Sequence, residues 1–487
     1  MSAANATLLA VDAGTTGVRA LLFNDRSELL GSAYREVLPS YPQPGLVEHD
    51  PELIWRTVQT VIAAALQQAG PAAAAKLAAV GVANQRSTTV VWERGSGRPV
   101  YPAIVWQDGR TSQRVDELLD QGIYSNTMAS ATKLEWVLRH IPDGFAWAEA
   151  GELCFGTIDS WLVWQLSGGA AHVTDHSNAS CTGLYDFALG AWDESVLAAL
   201  QISARMLPQI HFSSQLHATA AVAVLPSAVP IAGIAGDQQA AMFGELNLEA
   251  GSIKITYGTS AMVDVHVGDF PVLSQRGAYP LVLCGRAGQR PYCLEGTAIT
   301  AGAALQWLRD GLGIIADPAD SAAVAASVPD SGGVWAVPAF QGLGTPYMDA
   351  SARAVIGGLS RASTRAHVVR AMLEGIAYRS REVIETLLED AATPPPQVLR
   401  ADGGAAANDF LLQALADTLG IPVERPAVVQ ATALGAAYLA GLAVGVWQDL
   451  YELRDRWRCG GRFEPRLSAD ARDSRFQRWR KALAAAH

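Results

Sequence analysis

Twice along this chain an apolar run bends through a short Gly-Thr turn and returns as a second apolar run. The first copy is LLAVDAGTTGVRALLFN, Leu8 to Asn24; the second is SIKITYGTSAMVDVHV, Ser252 to Val267. Each reads as a β-hairpin. One such hairpin opening each half signals an internal duplication. A chain of 487 residues has room for two domains of that kind. Strand-like and helix-like runs alternate around the hairpins, which predicts an α/β fold. KLAAVGVANQ and STTVVWE read as strands. TKLEWVLRHI sets Leu134, Val137 and Leu138 at helical spacing, with Trp136 beside them. PIAGIAGDQQAAMFGEL and VLRADGGAAANDFLLQALADTLG each read as strand, turn and helix, with Asn408 as the cap of the second helix. His367 to Leu388 predicts a long amphipathic helix with Val368, Met372, Ile376, Val383 and Leu387 on one face. The boundary is expected near Asn247–Gly251, giving domains over 1–247 and 248–447. The polar, Arg-rich tail over 448–487 is expected to end in a helix on the surface.

Three aspartates stand where an apolar strand meets a glycine turn: Asp12, Asp237 and Asp402. In an α/β sheet that is the ligand edge. Glycines beside them leave backbone N–H groups free for an anion. The common nucleotide and hydrolase motifs are missing: GxxxxGK[ST], GxGxxG between strand and helix, HExxH, CxxC and GxSxG. A net charge of −11 argues against a nucleic-acid partner. The five scattered cysteines read as reduced thiols, without disulfide or zinc. No signal peptide is expected, and no apolar run of about 20 residues that would span a membrane. The chain is therefore expected in the cytoplasm. Trp161 and Trp164 fit a packed helix, and His172, Asp175 and His176 a structural strand and turn rather than a metal set.

MASATKLEWVLRH, Met128 to His140, and AVIGGLSRASTRAHVVRAMLE, Ala354 to Glu374, resemble the two signature segments of the FGGY carbohydrate kinases. The similarity runs from Leu8 to about Trp447 and is nearest to the glycerol kinase branch of that family. GVANQRSTTVVWERGSGRPVYPAIVWQDGRT, GIAGDQQAAMFGEL, VPAFQGLGTPYMD and ERPAVVQATALGAAYLAGLAVG carry it. The resemblance implies an actin-like fold of two RNase H-like domains with a cleft that closes on nucleotide and sugar. It implies ATP and Mg²⁺ as cofactors and a small polyol or sugar as the other substrate. Gly14, Thr15, Thr16 and Arg19 would bind phosphates, with Asp12 holding Mg²⁺ through water. Gly258 and Thr259 would meet the same phosphates, and Gly302, Gln306, Gly404 and Asn408 the nucleoside. Asp237 would be the base that takes the proton of the attacking hydroxyl. Arg86, Ser87, Trp106, Met128, Gln238 and Met262 would line the acceptor pocket. A homodimer is expected by resemblance; the residues themselves carry no mark of one.

The pocket departs from the branch it resembles. The position after Arg86 is Ser87 where a glutamate is usual, Met128 replaces a tyrosine and Met262 a phenylalanine. A site built to bind a hydroxyl discriminates strongly when its partner is removed. The expectation is an ATP-dependent kinase of a primary hydroxyl on a small polyol or sugar, with the altered pocket admitting one longer than glycerol and glycerol a poor substrate. Glycerol itself is the alternative, and a non-catalytic nucleotide-binding switch the alternative of another class. Asp108 either reaches substrate or is salt-bridged to Arg110 or Arg114. AVAVLPSAVP, Ala221 to Pro230, has no basic residue, so inhibition by fructose 1,6-bisphosphate is not expected.

Overall fold

The first hairpin forms where the pattern places it. Strand β1 (Thr7–Ala13) pairs antiparallel with β2 (Gly17–Asn24), which pairs antiparallel with β3 (Leu29–Glu36). A computed structural model describes residues 5–428 and 430–486. Packing divides the chain into two units. The first takes residues up to Leu246, Val282–Arg290 and Gln430–Arg456; the second takes the rest.

In the first unit β1 also runs parallel to β4 (Leu77–Asn84). Beyond β4, β5 (Ser214–Ala220) lies antiparallel on β6 (Val229–Gly236), and β6 runs parallel to β4. The sheet order is β5-β6-β4-β1-β2-β3. Helix α1 (Pro51–Ala69) starts at Asp50, whose carboxylate caps the Glu52 N–H, and buries Ile54, Val58, Val61 and Ile62. Helix α2 (Ala131–His140) buries Leu134, Val137 and Leu138, as the spacing predicts. Strand β6 runs without a turn into α3 (Asp237–Gly244). The Ala-rich helix Ala431–Ala443 packs on β1, β4, β6 and α3. Trp92, Trp161 and Trp164 pack edge to face inside this unit.

In the second unit β7 (Ile253–Tyr257) and β8 (Ala261–Gly268) form the other hairpin. With β9 (Tyr279–Val282), β10 (Tyr292–Ala298), β11 (Leu399–Asp402), β12 (Val423–Pro426) and β13 (Cys459–Phe463), the sheet order is β9-β10-β8-β7-β11-β12-β13. The internal duplication is visible in this order. Both sheets share three antiparallel strands from the hairpin outward, two strands parallel to the hairpin's first strand on its other side, and an antiparallel edge; the second sheet adds β9 beyond β10. Helix α4 (Arg365–Asp390) buries Met372, Ile376, Val383 and Leu387 of the predicted face. Helix α5 (Asp409–Leu419) starts at Asn408, whose side-chain oxygen accepts from the Leu411 N–H at 3.0 Å.

The tail is more than a solvated helix. It contributes β13 to the sheet, and its helix Ala469–Leu483 buries Phe476, Trp479 and Leu483. The Trp479 indole donates to the Ala336 carbonyl at 2.7 Å. An aromatic stripe shares this helix with its arginines, so the segment packs where its polarity predicts a solvated face. All five cysteines are free thiols. Among the described residues no helix is long and apolar enough to cross a membrane.

Candidate active site

Register brings three strand ends of the first unit to one level. Ala13 and Gly236 both pair with Asn84, so β1, β4 and β6 stop together. Asp12 closes β1, Gln85-Arg86-Ser87 leaves β4, and Asp237 begins α3 directly after β6. This is the edge where an α/β sheet binds ligands.

Arg86 Nε lies 3.2 Å from Asp237 Oδ1. The pair depends on Gly236: a Cβ there would come within 2.8 Å of Arg86 Cγ and of Gln239 Oε1. The Gly236 N–H donates to Ser177 Oγ at 2.9 Å, and Ser177 donates to the buried Asp175 carboxylate at 2.9 Å. Asn178 carries the same network to Asn84, donating from and accepting with its amide. The AHVTDHSNAS segment is thus a support for two strand ends. Among the described residues no cluster of three or more metal-binding side chains occurs.

Asp12 sits opposite Arg19 in the hairpin, with Arg19 Nε 3.5 Å from its carboxylate. Burial raises its pKa to about 6 against the pull of Arg19, and the nearby charge of Asp237 adds to the rise. The turn after it is closed by the Gly14 N–H donating to the Gly17 carbonyl at 3.0 Å. Gly17, not Gly14, is the glycine that internal packing demands, since a Cβ on it would meet the Tyr34 ring at 2.5 Å. Gly14 leaves the turn uncovered. Thr15 is held from two sides: Trp106 Nε1 donates to its Oγ1 at 3.0 Å, and His49 Nε2 lies 2.9 Å from its carbonyl.

Two predicted acceptor residues of this unit are otherwise engaged. Asp108 is 1% exposed and accepts from the Val47 N–H at 2.6 Å and from Arg110 Nε and Nη2, each at 2.8 Å. These donors hold its carboxyl below the usual range despite burial. The salt-bridged alternative is the one observed, and Asp108 is withdrawn as a substrate ligand. Ser87 has a left-handed backbone (φ 60°) and its hydroxyl donates to the Cys181 carbonyl at 2.8 Å. Met128 is partly buried, its N–H capped by Asn126 Oδ1 at 3.0 Å. Gln238 follows Asp237 in α3, and its N–H donates to Asp237 Oδ1 at 2.8 Å.

The second unit gathers the residues assigned to the nucleotide. The Gly302 N–H donates to the Gly258 carbonyl at 3.0 Å, and Ala301 and Ala303 donate to the Thr259 carbonyl. Gly302 opens the helix that carries Gln306. Gly403 has φ 87° and lies so close to Tyr257 that a Cβ would meet its carbonyl oxygen at 2.5 Å. Gly404 has open space beside it. Asn408 Nδ2 donates to Ser321 Oγ at 2.8 Å while its oxygen caps α5. Met262 lies on β8, its sulfur accepting from Thr297 Oγ1 at 3.3 Å. Asp402, the third strand-end acid, is buried and accepts from Thr256, which in turn accepts from Lys254 at 2.7 Å. It is tied into the sheet rather than offered to a ligand.

Sequence reasoning missed Lys133, His49 and the Asp175–Ser177 support. Lys133 carried a signal: it is one of four lysines in the chain and stands beside Leu134 in an apolar helix run.

A duplicated α/β core with acids and an arginine at its strand ends fits a phosphotransferase of the ATP-dependent carbohydrate kinase class. The chain belongs to the FGGY family of carbohydrate kinases, matching the N-terminal domain of that family over residues 7–244 and its C-terminal domain over 253–444. It is 49% identical to the glycerol kinase of Dechloromonas aromatica over 98% of this chain and 96% of that protein. It is 44% identical to glycerol kinase 2 of Thermotoga maritima over 98% of each. Its fold matches Plasmodium falciparum glycerol kinase with ADP at a TM-score of 0.93 and 29% identity, covering 99% of this chain and 98% of that one. A Brucella ovis xylulose kinase matches at a TM-score of 0.88 and 25% identity, covering 98% and 99%. The chain is therefore an enzyme, and the non-catalytic switch is set aside.

Proposed function

We propose that this kinase phosphorylates a primary hydroxyl of glycerol, giving glycerol 3-phosphate and ADP. The observation that carries the reading is near-full-length identity to proteins named glycerol kinase, at 44–49%. The relatives favour glycerol over the longer polyol that Ser87, Met128 and Met262 suggested. The Ser87 hydroxyl donates to the Cys181 carbonyl, a bond that by itself favours neither acceptor.

In the proposed reaction the substrate hydroxyl oxygen attacks the γ-phosphorus of ATP. The new P–O bond forms as the bond to the β,γ-bridging oxygen breaks, and ADP leaves. The hydroxyl proton passes to the Asp237 carboxylate. Asp237 keeps the alcohol aimed rather than deprotonating it early, since phosphoryl transfer has a loose transition state. Arg86, paired with Asp237, fixes the carboxylate and adds donors for a second hydroxyl. Arg86, Trp106, Met128 and Gln238 would line the acceptor pocket, with Met262 assigned to it by resemblance. Gly14, Thr15, Thr16 and Arg19 would hold the transferred phosphoryl group, while Gly258, Thr259, Gly302, Gln306, Gly404 and Asn408 bind the rest of the nucleotide.

The residues fit Mg²⁺. Asp12 is an oxygen donor whose ionised form is disfavoured by burial, so a cation would relieve it. Asp12 would hold the ion through water, its remaining positions going to water and phosphate oxygens. When bound, Mg²⁺ would neutralise charge on the phosphates. Steady-state kinetics across C3 to C6 polyols and ketoses, with ADP release as the readout, tests the reading. Glycerol should give the highest kcat/KM; a higher value for a C5 or C6 acceptor overturns it.

A further inference from the structure

Lys133 lies on α2 with no exposed surface. Its Nζ is 2.7 Å from the Thr127 carbonyl, 3.1 Å from Met128, 3.2 Å from Trp106 and 3.3 Å from Ala129. An ammonium has three N–H donors, so these four acceptors share them. All four are neutral main-chain oxygens. The nearby charges, Asp108 and Arg110, act at longer range and in opposite senses, and burial pulls the Lys133 pKa down to about 7. A cation buried in this way is costly unless its hydrogen bonds are complete.

A purely local role would satisfy the start of α2 alone. The partners are instead drawn from two separate loops. One loop carries Met128; the other carries Trp106, whose indole reaches Thr15 in the turn after Asp12. The Thr127–Ala129 loop lies between helices and has no strand to hold it. Among the described residues its side-chain ties are Asn126 and Lys133, beside one backbone bond from the Ala129 N–H to the Asn126 carbonyl.

We propose that Lys133 is a positioning residue for the acceptor site, joining the Trp106 loop to the Met128 loop and so setting the distance between two walls of the pocket. The proposal rests on the reading that these side chains line the acceptor pocket. It gives the lysine of the MASATKLEW segment a task in acceptor binding and none in the chemical step.

The test is steady-state kinetics of the full-length Lys133→Met variant, varying acceptor and ATP separately. Methionine keeps most of the stem and removes every donor. Loss of charged hydrogen bonds that shape only the acceptor pocket should raise the acceptor KM about tenfold or more. The expected kcat change is below about threefold, and the ATP KM should stay within about twofold, because Lys133 does not touch the base and reaches the phosphate turn only through the Trp106 indole, while that turn keeps its own bonds from His49 and within the hairpin. Lys133→Gln retains two donors and should fall between wild type and Met. It also serves if the Met variant does not fold. In the Gln variant, amide exchange should quicken over Gly122–Ala129 and stay unchanged over Thr7–Asn24. The wild-type acceptor panel separates the two readings. If another polyol beats glycerol, the acceptor assignment fails and the variants are compared on that polyol. The clamp is overturned if the acceptor KM does not move, if acceptor and ATP KM rise together, or if kcat alone falls.

Discussion

Replacing Asp12 by asparagine should stabilise the ligand-free protein and remove its activity. The carboxyl is raised from 3.8 to about 6, chiefly by burial. A group that holds its proton to about pH 6 penalises its own ionised form by up to about 3 kcal/mol, since each tenfold change in proton affinity is about 1.4 kcal/mol. The sign follows from proton counting. Between pH 3.8 and about 6 the folded chain binds a proton that the unfolded chain has released. Stability therefore falls as pH rises through this window, and the whole penalty is present above it. Asparagine mimics the protonated acid, so Asp12→Asn escapes the penalty. Side-chain exposure of 14% makes 3 kcal/mol an upper figure rather than a central one. Calorimetry at pH 7.5 should find the variant melting a few degrees above wild type, with the gap closing as pH approaches 4. Mg²⁺-ATP should raise the wild-type Tm more than the variant's if, as proposed, the carboxylate holds the cation. A variant that melts at or below wild type at pH 7.5 refutes the reasoning, as does a gap that does not depend on pH.

Four further outcomes follow from the geometry. Asp237→Asn should lower kcat by about 10²-fold or more, with ATP affinity by calorimetry nearly unchanged. Gly236→Ala places a Cβ 2.8 Å from Arg86 Cγ; the displaced guanidinium should cost about tenfold in kcat/KM for glycerol, and thermal melts should register about 1–3 kcal/mol of overpacking. Asp108→Asn breaks a buried ion pair and should cost about 3 kcal/mol in denaturant unfolding, while glycerol KM stays within about twofold. Fructose 1,6-bisphosphate should leave the initial rate unchanged at saturating substrates, as no basic residue lies in Ala221–Pro230.

Much of the core was legible because it is periodic. The two hairpins, the strand of Leu77–Asn84 and the helices that start at Ala131 and Asp409 follow apolar spacing and local caps, which need no distant partner. The strand-end acids were legible as a group but not singly. Asp12 and Asp237 keep their edge positions, whereas Asp402 is drawn inward by Thr256, a partner 146 residues away. Asp108 shows the same limit: its two roles differ in whether Arg110 folds back onto it, and it also accepts from Val47, 61 residues away, which no local pattern displays. The tail was misjudged because net polarity hid Phe476 and Trp479 at helical spacing. Lys133 stayed hidden for a related reason. Its partners are main-chain carbonyls, which every sequence has and none displays.

The helix Ala431–Ala443 belongs to the first unit although it is encoded near the end of the chain. Its Ala433, Ala436, Ala437 and Ala440 have no exposed surface, so the sheet beneath them is bare until they arrive. A nascent chain leaving the ribosome cannot finish its leading half first. The N-terminal sheet must wait, with a greasy face uncovered, until nearly the whole message has been translated. A fragment cut after Leu246 should accordingly clump rather than fold, and supplying the missing helix in trans is the way to keep it in solution.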